Sequence, residues 1–144
     1  MSGPAIDATE AGGGSAPGTT LAAISRRIVG LIKEYYGKGP THARTYHWGD
    51  LVVVVLSGGS TSVERTLIAD GQEQAVIDQR TAFQEAMRPR YKQVIEEELL
   101  REVIAFMSTF HHDPDINAEI FVLAPRADAP RDAGEDAMET IDEA

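Results

Sequence analysis

Two glycines set between serines mark the stretch of this chain best suited to hold a charged ligand. Ser57-Gly58-Gly59-Ser60-Thr61 follows Leu51 to Leu56, the most apolar run in the sequence, and leads into a helix start. Exposed backbone amides and the helix dipole make a strand-to-helix loop of this kind favourable for an anion. The dipole contributes only about 0.3–1 kcal/mol at an exposed site, so a bound anion needs cations as well. Lys38, Arg44, Arg65 and Arg80 lie on neighbouring elements. The candidate anion set is therefore Arg44, Gly58, Gly59, Thr61, Arg65 and Arg80. The Lys-Ser/Thr ending of a Walker loop is missing. The competing reading is a glycine-permitted turn ahead of a capped helix, because Thr61-Ser62-Val63-Glu64 matches the capping box.

Other chemistry finds less support. His42 and His47 are five apart on an expected strand and so point to opposite faces. A folded turn at 111–115 gathers His112, Asp113 and Asp115 around a hard cation on one reading, and is a solvated polar turn on the other. Neither a metal nor a cofactor is assigned. Acid–base catalysis needs paired, desolvated titratable groups. Asp50, Glu64 and Glu119 are the acids set among apolar residues, and each has a quieter role: turn, cap and water-facing strand position. No G-x-S-x-G elbow occurs. The chain reads as a non-enzyme. Arg44, mid-strand beside the apolar hairpin, needs an acid or an anion. Its partner is Glu64, Asp50 or Glu119 in a structural ion pair, or else a ligand.

The elements that must position these residues follow from periodicity. Leu21, Ile24, Ile28, Leu31, Ile32 and Tyr35 build one face of a helix over 21–36, capped by Thr19 or Thr20. Gly37 suits the left-handed residue after it, and Pro40 blocks continuation. Strands over 41–47 and 51–56, joined at Trp48-Gly49-Asp50, make a hairpin. The second strand lacks polar alternation, so it is covered on both faces or sits at the sheet centre. A short helix over 62–69 and a long one over 72–100 follow. Val76, Arg80, Phe83, Met87, Tyr91, Val94 and Ile95 mark the inner face of the long helix, and Pro89 is expected to kink or split it. Strands over 103–110 and 118–123 form a second hairpin. The expected fold is α+β: a two-layer sandwich of four antiparallel strands with helices on one face, in the order α-ββ-αα-ββ. The apolar character of Leu51–Leu56 further implies a partner chain over the second sheet face, hence a homodimer.

The 144 residues suffice for one domain. It is placed at 19–125, between a disordered N-terminal arm at 1–18 and a disordered acidic tail at 126–144. Of the net charge of −10, half lies in residues 126–144, which hold two bases and seven acids. A chain without a basic stripe is a poor binder of nucleic acid or of an anionic membrane surface. The absence of cysteine excludes disulfides and thiolate metal sites. No run approaches the roughly 20 apolar residues of a membrane span, so direct membrane insertion is not expected. The start lacks the basic and apolar regions of a secretory signal. A cytoplasmic protein is expected.

Three stretches carry a family likeness: GKGPTHARTYHWGDLVVVVLSGGSTSVERTL, QRTAFQEAMRPRY and VIAFMSTFHHDPDINAEIFVL. Over Leu21 to Leu123 the chain resembles the MpsC family, named for a sodium-translocating membrane potential-generating system and formerly a domain of unknown function. The matching positions are Gly39, Pro40, Arg44, Gly49, Asp50, Glu64, Arg80 and Phe83. The resemblance implies a small α+β protein without an assigned active site. It also implies an accessory role beside separate membrane-embedded subunits that move cations or support inorganic-carbon uptake. A membrane transport subunit is the partner that follows. The alternative function is a small-anion sensor using the strand-Gly-Gly-helix loop.

Overall fold

A computed structural model describes residues 14–126. The expected acidic tail lies outside them except for Arg126, and so does the expected arm up to residue 13. The order is α1 (Gly18–Tyr36), β1 (His42–Trp48), β2 (Leu51–Ser57), α2 (Ser62–Ala69), α3 (Glu73–Leu99), β3 (Val103–His111) and β4 (Ile116–Leu123). The four strands form one antiparallel sheet ordered β1-β2-β4-β3. The α+β reading and its order hold.

Each element has a local cause. In α1 the apolar spacing buries Leu21, Ile24 and Ile28. Pro17 caps this helix, not a threonine: its carbonyl accepts from the amides of Thr20 and Leu21 at 3.0 and 3.1 Å. Tyr35 stays 47% exposed, its ring under Arg90, while Tyr36 turns inward. Gly37 closes the helix with φ of 93°, a conformation cheap for glycine alone. α3 runs through Pro89 as a single helix of 27 residues, so the expected split does not occur. Tyr91, Val94 and Ile95, in the turns after Pro89, are buried, and that packing holds the chain helical against the cost of proline.

One face of the sheet meets the helices. Val52, Val54, Leu56, Phe106, Phe121 and Leu123 join Ile24, Ile28, Met87, Tyr91 and Ile95 in the core. Two polar β1 side chains point the same way and are satisfied. The Thr45 hydroxyl pairs with Ser25 at 2.8 Å. His47 lies between the Gly49 carbonyl and the Ala16 amide, which donates to its Nδ1 at 2.9 Å. Burial pushes the His47 imidazole below its usual range.

The other face carries no layer among the described residues. β2 is a central strand, as its apolar run requires, yet its outward residues Val53 and Val55 are only half-buried. Cross-strand rows continue this surface: Tyr46–Val53–Ile120–Met107 and Trp48–Leu51–Val122–Ala105.

Candidate functional site

The polar centre of the molecule grows out of the capping box expected at the start of α2. The Glu64 amide donates to Thr61 Oγ1 at 3.1 Å, and the Glu64 carboxylate accepts from the Thr61 amide at 3.0 Å. A cap alone would leave that carboxylate at the surface. Here it is fully buried and carries three more donors. Arg80, on the first half of α3, donates Nε and Nη2 to its two oxygens at 2.9 and 3.0 Å. The Tyr36 hydroxyl, at the end of α1, donates to Oε2. Burial pushes the Glu64 carboxyl up, but the hydrogen bonds from Arg80, Tyr36 and Thr61 outweigh it and hold the group below its ordinary value.

Arg80 reaches further. Its Nη1 donates to Asp115 Oδ1 at 3.0 Å, and its guanidinium lies 5.0 Å from the centre of the Phe110 ring. Asp115 also accepts from the Ser60 hydroxyl at 2.7 Å, and its carbonyl accepts from the Gly58 amide at 3.1 Å. One arginine thus ties α2, α3, the β3–β4 turn and the glycine loop together. The glycines have steric reasons as well. A Cβ on Gly58, which has φ of 78°, would stand 2.2 Å from Thr41 Oγ1; one on Gly59 would stand 3.1 Å from the Gly39 carbonyl and from Pro40 Cα.

Beside this network is a cavity of about 50 Å³ whose walls include Tyr36, Leu56, Arg80, Phe83, Tyr91 and Glu119. Gly58, Gly59, Gln84 and Asn117 complete its polar side. Glu119 is 1% exposed and its Oε1 has no hydrogen-bond partner. Burial pushes its carboxyl up to about 7, with Ser108, directly across the β3–β4 pair, opposing the shift. The water-facing position expected for Glu119 is therefore wrong. It alternates in phase with Phe121 and Leu123, which are core residues.

The candidate anion residues divide among four places. Gly58, Gly59 and Arg80 come together at the cavity. Thr61 is the α2 cap. Arg65 is at the surface, donating to the Ser60 carbonyl at 2.6 Å and to the Ser62 hydroxyl at 3.2 Å. Arg44 stands exposed on the far face of the sheet, so Glu64 takes Arg80 in its place. Gly49 and Asp50 lie at the opposite end of the hairpin. There Arg101 donates to the Gly49 and Ala124 carbonyls at 2.8 Å each and to the Asp50 carboxylate. The groups weighed for a metal separate too: His112 faces Glu73 at 3.3 Å while Asp115 faces Arg80. Among the described residues no three His, Asp or Glu side chains are placed to hold a metal ion. Sequence reasoning missed Tyr36, Asp115 as an Arg80 partner, Asn117, Gln84 and the buried state of Glu119.

The sequence profile described as "Na+-translocating membrane potential-generating system (MpsC)" matches residues 17–125. The chain belongs to the MpsC family. The match spans α1 through β4 and so takes in the whole Glu64–Arg80–Asp115 network of this MpsC-family chain. No curated protein and no solved structure matches it. No helix among its described residues is long and apolar enough to cross a membrane.

Proposed function

We propose that this MpsC-family chain is a non-enzymatic, cytoplasmic accessory protein of a cation-translocating, membrane-potential-generating or inorganic-carbon uptake system. It acts as a homodimer beside separate membrane-embedded subunits. The family description supports the association with a membrane system. The observation that carries an interaction role is the open sheet face. Tyr46, Val53, Ile120 and Met107 cross all four strands in one row, and Met107, Trp48 and Leu51 are 50%, 44% and 37% exposed. Contiguous apolar surface of this extent marks an interaction site.

The occupant that fits is a second copy. The middle of the face is apolar, with Arg44 its one charged side chain, so no oppositely charged partner is called for. Four strands about 4.8 Å apart and seven to nine residues long give a face of roughly 20 by 25 Å. With side-chain relief, that approaches the ~800 Å² per partner of a standard interface. Two such sheets stack as a β-sandwich about 10 Å apart.

Light scattering on the full chain at micromolar concentration is expected to give twice the chain mass, and Ile120→Lys to give the chain mass with the melt retained. A monomeric parent protein sinks the dimer. Crosslinking in the producing cells, followed by identification of what is joined to the chain, tests the accessory role. A membrane-spanning transport subunit is the expected product, and recovery of the chain joined only to itself rejects docking.

The non-enzymatic reading rests on the geometry of Glu64, which four donors hold ionised and immobile. The anion sensor is the weaker alternative. The anion at the α2 N-terminus is already Glu64 itself, so a free anion would have to displace it from both Thr61 and Arg80.

A further inference from the structure

The Glu119 cavity plays no part in that accessory role, and its chemistry is unusual. A buried carboxylate is costly unless a cation or several donors meet it. Glu119 has neither: its Oε1 is unpartnered. The nearby cations are engaged elsewhere. Arg80 holds Glu64 and Asp115, and Lys38, on the exposed rim, donates to the Ser60 carbonyl at 3.2 Å. The groups around the cavity with ionisable chemistry are Tyr36 from α1, Lys38, Glu64 from α2, Arg80 and Tyr91 from α3, Asp115 from the β3–β4 turn, and Glu119 itself. When Glu119 is ionised, the carboxylates of Glu64, Asp115 and Glu119 outnumber the two cations. The remaining walls are aromatic and aliphatic. Tyr36 and Phe83 tilt against each other with centroids 4.7 Å apart, and Tyr91 and Leu56 complete the lining.

We propose that this cavity binds a small organic cation, an alkylammonium or similar group of a few heavy atoms, with its charge on the Glu119 carboxylate and its carbon skirt against the Tyr36, Phe83 and Tyr91 rings. Aromatic faces attract cations by their quadrupole, most strongly in desolvated sites. A hard metal ion fits less well, since one acid cannot supply the several oxygens such an ion takes. An anion would meet local negative excess. The bound cation takes the ionised form of Glu119, so binding at neutral pH releases a proton from it. Affinity therefore rises with pH toward 7 and levels off above.

Calorimetric titration of the full chain with methylammonium and ethylammonium chloride, against sodium chloride at equal ionic strength, tests this. Saturable binding of one cation per chain is expected, several-fold tighter at pH 8 than at pH 6. In Glu119→Gln, which keeps the shape and removes the charge, binding is expected to weaken by about tenfold or more. The melt of that variant verifies its fold. Phe83→Leu thins the wall without touching the charge and is expected to weaken binding several-fold. The proposal is overturned by no saturable binding of either ammonium, by equal affinity in Glu119→Gln, or by an equal response to sodium. Unchanged affinity in Phe83→Leu rejects the aromatic seat.

Discussion

Glu64 and Glu119 are equally withdrawn from water, at 0% and 1% exposure, and they flank the same corner of the molecule. One sits at the N-terminus of a helix, the other in the middle of a strand. Glu64 meets a backbone amide, a bidentate guanidinium and a phenol, and its carboxyl is held below the ordinary value. Glu119 meets a cavity and the Ser108 side of β3, and its carboxyl rises to about 7. Burial alone therefore predicts neither charge state nor role. What decides is how many donors the surrounding elements bring: α1 and α3 aim Tyr36 and Arg80 at Glu64 beside the Thr61 amide, whereas no cation reaches Glu119 and its Oε1 is left without a partner. The first carboxylate is locked into architecture, and the second is left free to titrate.

Breaking the Glu64 cluster should have the largest effect. Glu64→Ala leaves Arg80 buried without its main partner and removes the carboxylate half of the capping box, and a loss of about 3–5 kcal/mol in chemical denaturation is expected. A loss below about 1 kcal/mol would show that water substitutes freely there. The Glu119 contrast appears in pH dependence. Its folded carboxyl is raised above the ordinary 4.5 to about 7, so ionisation penalises the folded state. The penalty is absent below pH 4.5, grows as pH rises to 7, and is constant above, at roughly 3 kcal/mol. Glu119→Gln is expected to flatten stability between pH 5 and 8 and to stabilise the protein at pH 8. An unchanged slope would mean that Glu119 ionises freely. Glu64 has the opposite sign: its contribution is present above pH 4.5 and lost as pH falls below it. Thr61→Ala separates the cap from the ion pair and should cost about 1 kcal/mol. Arg27→Ala sets the baseline. Its bridges to Glu97 and Glu98 lie at the surface, and a change of at most about 1 kcal/mol in the same denaturation assay is expected.

Much of the fold was legible because local signals agreed. The 3.6-residue spacing of Leu21, Ile24 and Ile28, the Gly49-Asp50 turn and the Thr61–Glu64 capping box each depend on neighbours within four residues. Pro89 misled because its local cost was read without the tertiary packing of Tyr91, Val94 and Ile95 that offsets it. Arg44 misled because a polar residue in a strand was assumed to share the buried face, whereas alternation from Ala43 and Thr45 puts it outward.

The sequence by itself determined the element order, the cap, the glycines of the 57–61 loop and the membership signalled by its motifs, because each is written in contiguous residues. It also held the buried phase of Glu119, in step with Phe121 and Leu123. Only the tertiary structure decided that Arg80, and not Arg44, meets Glu64, and that Tyr36 and Asp115 join them. It alone decided that Glu119 faces a cavity without a partner. Those contacts join residues 16 to 35 positions apart. Which side chains meet across such distances is set by how α1, α2, α3 and the second hairpin pack, and no spacing along the chain encodes it.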